Sequence, residues 1–256
     1  MKKILFLFFL FSLFGNLFSA TPELPFQVGE RLTFRGNFGI LSGIGSSVMS
    51  FNCCDSISGH KCYHIKSVLR TSKFYDVIYK VRDEMESFWD VEKLVSRKQI
   101  KRQAEGSYKE FTTHYFYPED TLTYFVKNRK GKTTKKQFKT LPNTQDALSI
   151  FYFLRLQNFA VGDSFYVNVT TGGENLKIQI NVEKMKILDT IFGKKKCFKL
   201  VPIPVGKEIE KQTGESPIWV TADKYKIPVK LVVETIYGNF SLELIDAENV
   251  SLKIQN

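Results

Sequence analysis

Residues 143–162 read NTQDALSIFYFLRLQNFAVG and carry the strongest helical pattern in a chain that otherwise resembles an all-β protein. Apolar side chains recur at intervals of three and four, which places them on one helix face with a second stripe beside it. Asn143 or Thr144 is suited to cap the first turn, and Gly162 is suited to end the helix. We therefore predict a helix over about residues 143–160 that is apolar around most of its circumference.

Such a helix must be covered on nearly all sides, and two arrangements satisfy this requirement. In the first it is a core helix clasped by a sheet, since apolar stripes usually lie in protein cores. In the second it forms the wall of a lipid-sized cavity, because apolar pockets are often built between elements. The residues that we expect to line such a cavity are Phe151, Tyr152, Phe159 and Trp219.

The rest of the chain carries the pattern of antiparallel strands. Leu32 and Phe34 alternate with polar residues, which is the period-two pattern of a half-buried strand. Similar runs, including residues 63–71 and 74–81, recur about every ten residues between turn signals. Glycines at positions 36, 39, 43 and 45 fall in strand-like sequence, where they indicate a bulge, a bend or a close approach of backbones.

These patterns predict a mainly β fold: a strongly curved antiparallel sheet, or an incomplete β-barrel, closed by one central helix at about residues 143–160. In this interpretation residues 21–256 form a single exported β-rich domain. Two β subdomains joined at the helix are the alternative, because the helix lies about midway along this part of the chain.

The first twenty residues have the pattern of a signal peptide. Lys2 and Lys3 precede an apolar run over residues 4–14, and the small residues Ser19 and Ala20 are suited to cleavage near Ala20. No cysteine directly follows the run, which argues against lipoprotein processing. We predict a periplasmic or otherwise exported protein, with an uncleaved N-terminal anchor as the alternative.

The charge of the chain favours anionic partners. The formal net charge is +11, and it falls to +9 when Lys2 and Lys3 are removed with the leader. A lipid or an anionic envelope surface is therefore an expected partner, whereas export argues against nucleic acid. The basic run NRKGKTTKK at residues 128–136 fits a solvated hairpin tip or a contact with an anionic membrane.

The predicted export bears on the oxidation state of the cysteines. Cys53 or Cys54 closes a short loop with Cys62, and an oxidising compartment favours disulfides. We predict a disulfide between Cys54 and Cys62. Cys197 either pairs with the remaining cysteine or stays a buried thiol.

No common catalytic or cofactor motif occurs in the sequence. Nucleophile-elbow, zinc-protease, P-loop and dinucleotide-binding patterns are missing, and the three histidines match no usual zinc spacing. We therefore predict no catalytic residues, no cofactor and no metal. The charged residues Arg82, Asp83, Asp146 and Arg155 are expected to form structural ion pairs that link the sheet to the helix.

Four stretches together resemble a family of exported bacterial proteins, DUF3108, to which no activity or ligand is assigned. They are residues 25–48 (PFQVGERLTFRGNFGILSGIGSSV), 75–90 (YDVIYKVRDEMESFWD), 141–155 (LPNTQDALSIFYFLR) and 217–244 (PIWVTADKYKIPVKLVVETIYGNFSLEL). Residues 218–231 also loosely resemble periplasmic lipoprotein carriers of the LolA/LolB type. That resemblance implies a curved antiparallel sheet that wraps around helices and holds acyl chains.

The leading functional hypothesis is a non-enzymatic periplasmic protein that binds a lipid or another amphiphilic component of the cell envelope. A structural or assembly module that meets an envelope protein or a polysaccharide is the alternative. A glycan hydrolase ranks last, because acids such as Asp83, Glu84 and Glu86 would need a further acid near them in space.

Overall fold

The structure is a computed structural model that describes residues 24–52, 56–206, 215–235 and 238–252. The predicted signal peptide and Cys54 of the predicted disulfide lie outside these residues, and both stay predictions. Within the described residues the chain forms fifteen β-strands and one α-helix. The strands are β1 (Glu30–Phe38), β2 (Leu41–Asn52), β3 (Ser56–Ile57), β4 (His60–Thr71), β5 (Arg82–Asp90), β6 (Ser96–Glu105), β7 (Tyr108–Tyr117), β8 (Leu122–Arg129), β9 (Lys132–Lys139), β10 (Ser164–Thr171), β11 (Glu174–Thr190), β12 (Gly193–Val205), β13 (Ile218–Thr221), β14 (Pro228–Thr235) and β15 (Gly238–Glu248), and the helix is α1 (Ser149–Leu156).

All strands belong to one antiparallel sheet with the order β10-β11-β12-β13-β14-β15-β1-β2-β4-β5-β6-β7-β8-β9, and β3 pairs with β4 beside this path. The first strand, β1, lies in the middle of the sheet, and the following strands run outward to β9. It then crosses to β10 through the segment that contains α1, and returns to place β15 against β1. The prediction of a mainly β, antiparallel fold with one central helix is confirmed, and the sheet is not closed into a barrel.

The edge strand β10 is covered by the segment that follows β9. The amide of Gln145 donates to the carbonyl of Asn168, and the amide of Thr170 donates to the carbonyl of Gln145, both at 2.8 Å. The Asn175 side chain donates to the Lys139 carbonyl at 2.6 Å. These contacts cover part of the β10 edge without a β9–β10 ladder, which limits its exposure to pairing with another chain.

The helix is shorter than predicted and has a different cap. It starts at Ser149, because the backbone of Gln145 pairs with β10 and cannot also enter a helical turn. Leu148 stands at the N-cap position without a side-chain cap bond, and the carboxylate of Asp146, two residues earlier, accepts the amides of Leu148 and Ser149 at 2.8 and 3.0 Å. The prediction that Asn143 or Thr144 caps the helix is therefore wrong. The helix ends at Leu156, before the predicted end near residue 160.

The core surrounds the helix on more than one side. Leu148 and Tyr152 pack into a cluster with residues of the central strands, including Phe51. Leu154 packs into a second cluster that is built from β10–β13 and includes Ile180. The two apolar stripes of the sequence thus correspond to two sides of the helix, each covered by a different part of the curved sheet.

Candidate functional site

The concave side of the sheet differs between its two ends. At the end that we call the helix end, residues from 24–29, 91–95 and 222–227 pack around α1, and the space left there is a cleft of about 450 Å³ beside Arg155, Leu156 and Tyr225. At the opposite end, called the open end, lie the β1–β2 turn, the β4–β5 connection (residues 72–81) and the β6–β7 turn. Here the side chains leave two adjoining cavities.

The deeper space, called the inner cavity, has a volume of about 270 Å³. Register explains its walls: Phe34 lies opposite Ser47, Ser47 opposite Leu69, and Leu69 opposite Asp83, so these inward-facing residues form a row across β1, β2, β4 and β5. The tip of the helix contributes Phe151. The full lining is Phe34, Ser47, Met49, Ser67, Leu69, Asp83, Met85, Lys101, Gln103, Glu105, Leu148, Phe151, Leu231 and Leu242.

One wall of the inner cavity is polar. Asp83 accepts the amide of Ala104 at 2.9 Å and shares a hydrogen bond with Glu105, which also accepts the Gln103 amide group at 2.6 Å. Burial, together with the neighbouring Glu105 carboxyl, raises the pKa of Asp83 to about 6, although Lys101 acts in the opposite direction. This wall therefore offers both donors and acceptors to a polar group inside an otherwise apolar space.

The larger space, called the outer cavity, has a volume of about 670 Å³ and opens toward solvent at the open end. Leu69 lines both cavities, so they adjoin. Its walls are almost entirely apolar and include Phe38, Leu41, Ile44, Leu69, Tyr75, Ile78, Tyr79, Val81 and Phe240. An aliphatic or aromatic group is therefore the chemical match for this space.

Two glycines keep the outer cavity free of side chains. Gly36 and Gly45 face each other across β1 and β2, and both line the cavity. A Cβ atom at Gly45 would lie 2.5 Å from the carbonyl oxygen of Arg70 on β4. The close backbone approach that the glycine-rich stretch predicts is therefore confirmed at Gly45.

The β4–β5 connection covers part of the outer cavity. Residues 74–81 were expected as a strand, but the segment contains a 3₁₀ turn at Tyr75–Val77 instead. The guanidinium of Arg82 binds the Asp76 carboxylate, and Thr71 donates to the same carboxylate at 2.5 Å. The bond from Arg82 lowers the pKa of Asp76 below its ordinary value. These contacts fix the turn above the cavity.

Of the predicted cavity residues, Phe151 lines the inner cavity and the other three belong to the core. The Tyr152 ring lies 5.0 and 4.8 Å from the rings of Phe26 and Phe51, measured between centroids. Phe159 packs against two aromatic rings of β10 and β12. Trp219 packs against the central core cluster. None of these three lines the inner or the outer cavity.

The four predicted ion-pair residues do not bond to one another. Arg155 is buried and binds both carboxylate oxygens of Glu30, at 2.5 and 2.9 Å. Arg82 pairs with Asp76, and Asp83 contacts Glu105.

Asp146 is fully buried and bonds to hydroxyls. It accepts from Ser87 at 2.5 Å and from Ser96 at 2.8 Å, and burial raises its pKa. Arg155 and Asp146 thus link the helical segment to Glu30 and to these serines of the sheet. The sequence indicated Arg155 and Asp146 but not their partners.

A family model described as a protein of unknown function, DUF3108, matches residues 31–245, which is most of the chain. The chain belongs to the DUF3108 family. The resemblance of the four quoted stretches is therefore confirmed. No curated protein matches this DUF3108 chain.

Among solved structures, the DUF3108 chain is similar to a β-barrel-like protein of the domain of unknown function DUF1849 from Brucella abortus. The TM-score is 0.57 at 11% identity, and the match covers 87% of this chain and 98% of that chain. A predicted lipoprotein from Parabacteroides distasonis matches with a TM-score of 0.31 at 7% identity, over 88% of this chain and 97% of that chain. The first match shows the fold alone.

The similarity of this DUF3108 chain to carriers of the LolA/LolB type is not confirmed by these matches. In the part of the chain that the structure describes, no helix combines the length and the apolar character needed to cross a bilayer.

Proposed function

We propose that this protein is an exported, periplasmic, non-enzymatic protein that binds a lipid or another amphiphile on the concave side of its sheet. The observation that carries the proposal is the outer cavity of about 670 Å³, whose walls are almost entirely apolar and which adjoins a polar wall deeper in the fold. Its volume falls within the range of roughly 300–1,000 Å³ that is typical of small-molecule sites.

The two cavities suggest how the ligand would lie. Its apolar part would fill the outer cavity, where each buried methylene group contributes about 0.8 kcal/mol. Its polar part would reach Asp83, Lys101, Gln103 and Glu105 in the inner cavity. Because two carboxyls stand beside one ammonium, we expect a group that donates hydrogen bonds, such as an amine, an amide or a hydroxyl.

The same wall argues against a glycan hydrolase. Asp83 and Glu105 share a hydrogen bond, so their carboxyls are closer than the roughly 5 Å spacing that a retaining glycosidase needs to place a sugar between them. The outer cavity that adjoins them also lacks the polar groups that would hold a sugar ring. Binding therefore explains this site better than hydrolysis does.

The first test is to purify the protein from its native envelope, extract it with organic solvent and identify bound molecules by mass spectrometry. We expect an amphiphile at near-equimolar amount. Extracts that contain no lipid above the level of a control exported protein would contradict the proposal.

The second test uses a matched pair of variants on β4. Leu69→Trp fills the junction of the two cavities, whereas Val68→Trp places the same ring on the other face of the strand, because neighbouring strand residues alternate. Titration with a pyrene-labelled fatty alcohol, whose hydroxyl can donate to the carboxyls, should show binding weakened about tenfold or more by Leu69→Trp and unchanged by Val68→Trp. Equal affinities for the two variants would place the probe outside these cavities.

A further inference from the structure

The open end exposes large apolar side chains around the mouth of the outer cavity. In the β4–β5 connection, Val77 is 90% exposed, and Phe74 and Ile78 are each 76% exposed. At the tip of the β1–β2 hairpin, Ile40 is completely exposed. The two segments are neighbours, because the amide of Ser72 donates to the carbonyl of Ile44 at 2.9 Å. We call the exposed residues Ile40, Leu41, Phe74, Val77, Ile78 and Tyr79 the apolar rim.

A contiguous group of this kind on a surface otherwise rich in lysine marks an interaction site. The apolar rim is also held in place, since Arg82 and Thr71 fix Asp76 within the connection. The exposed residues therefore lie on a turn that hydrogen bonds hold in place.

Positive charge flanks the apolar rim. Residues 70–82 contain four basic residues and one acidic residue, Asp76, whose charge is already paired with Arg82. Lys73 and Lys80 are exposed on either side of the turn. The basic tip of the β8–β9 hairpin, residues 129–132, points to the same end of the sheet.

We propose that the apolar rim docks onto an anionic bilayer surface, with Lys73 and Lys80 at the headgroups, so that the outer cavity opens against the membrane. Apolar side chains can enter the hydrocarbon region of such a bilayer while the neighbouring lysines contact its anionic headgroups. A second copy of the chain fits less well, because a two-fold contact would bring the same basic flanks together. That the docked cavity receives a ligand from the membrane rests on the proposed lipid binding. Membrane binding by the apolar rim does not depend on it.

The test is co-sedimentation of the full exported chain with vesicles of phosphatidylcholine alone and of equal parts phosphatidylcholine and phosphatidylglycerol, at low and high salt. We expect binding to the anionic vesicles that weakens with salt. Neutralising Lys73→Gln and Lys80→Gln should lower the partition coefficient about fivefold each.

A triple variant, Ile40→Ser with Phe74→Ser and Val77→Ser, removes three rim residues that do not line the outer cavity. Its vesicle binding should fall more than about tenfold while binding of the pyrene-labelled fatty alcohol persists. The control variant Tyr166→Ser with Ile187→Ser alters exposed apolar residues of β10 and β11 and should bind vesicles as the wild type does.

Three results would overturn the inference. They are equal binding to neutral and anionic vesicles, an equal loss in the control variant, and a wild-type dimer in sedimentation velocity that the triple variant abolishes. A wild type that binds anionic vesicles but neither the probe nor extracted lipid would instead contradict the proposed function and leave the docking surface supported.

Discussion

The two ends of the sheet differ in how their concave sides are packed. At the helix end, Arg155 binds Glu30 and the buried Asp146 bonds to serine hydroxyls, so the buried charged groups there have partners inside a packed core. At the open end, Gly36 and Gly45 leave the concavity empty, and apolar side chains face solvent. One curved sheet thus carries a packed region and a hollow region.

The difference separates the groups that hold the fold from the groups that are available for binding. Apolar cavities reduce stability, because their walls lose dispersion contacts and residual cavity volume lowers the free energy of unfolding. A chain tolerates such a region when another part of the same sheet is well packed. We therefore expect substitutions at the helix end to change stability strongly, and substitutions at the open end to change binding.

The largest effect is expected from the buried ion pair. Arg155→Met leaves the Glu30 carboxylate buried without its partner, which costs about 3–5 kcal/mol of unfolding free energy. Urea denaturation measures the change, with Arg31→Met in an exposed pair with Glu248 as the control that should lose at most about 1 kcal/mol. Equal losses in both variants would show that burial of an ion pair does not decide how much its loss costs.

The next effect is a pH dependence at His114. Its ring is buried and accepts the amide of Gly173 at 3.1 Å, and burial lowers its pKa from 6.5 to about 4. Between these values the unfolded chain binds a proton that the folded chain does not, so stability falls as the pH falls from about 6.5 to 4, by up to about 3 kcal/mol.

The variant His114→Gln should show a smaller loss over the same pH range, measured by urea denaturation at pH 7, 5.5 and 4.5. Other titrating groups are common to both proteins and cancel in the difference. Parallel curves for the variant and the wild type would mean that His114 does not titrate in this way.

Local patterns predicted much of this fold. The strand alternation around Leu32 and Phe34, the apolar stripes of the helix and the glycines of β1 and β2 are all confirmed, because each reflects the periodicity or sterics of a few adjacent residues. The boundary of the helix was misplaced because Gln145 pairs with β10, which is a contact between distant segments. No local pattern indicates that competition.

The site was predicted less well for the same reason. Glu30 lies 125 positions from Arg155, and the two meet only because β1 occupies the middle of the sheet. The apolar content of residues 74–81 predicted a strand, whereas the segment forms a turn above a cavity. Apolar residues indicate contact with something apolar, and the sequence alone does not specify whether that is core or cavity.

A smaller effect, of opposite sign, is expected at the polar wall of the inner cavity. The pKa of Asp83 is raised from 3.8 to about 6, so its ionisation at pH 7 destabilises the folded state. Asp83→Asn keeps an oxygen for the Ala104 amide and removes this cost. Because Asp83 is only half-buried and solvent screens its charge, the gain should be about 1–2 kcal/mol at pH 7, less than the full pKa shift corresponds to, and nearly nothing below pH 4. An exposed control, Asp189→Asn, should change stability by less than about 0.5 kcal/mol at pH 7.

The smallest effect is expected at the apolar rim. Val77→Ser and Phe74→Ser alter side chains that have few neighbours, so unfolding free energy should change by less than about 0.5 kcal/mol. By contrast, Phe51→Ser in the core near the helix should cost about 3–5 kcal/mol. A large loss at Val77 would mean that the rim packs against the fold in solution. A negligible loss would leave no stabilising role for these apolar side chains, and an external apolar partner would then be the remaining reason for their presence.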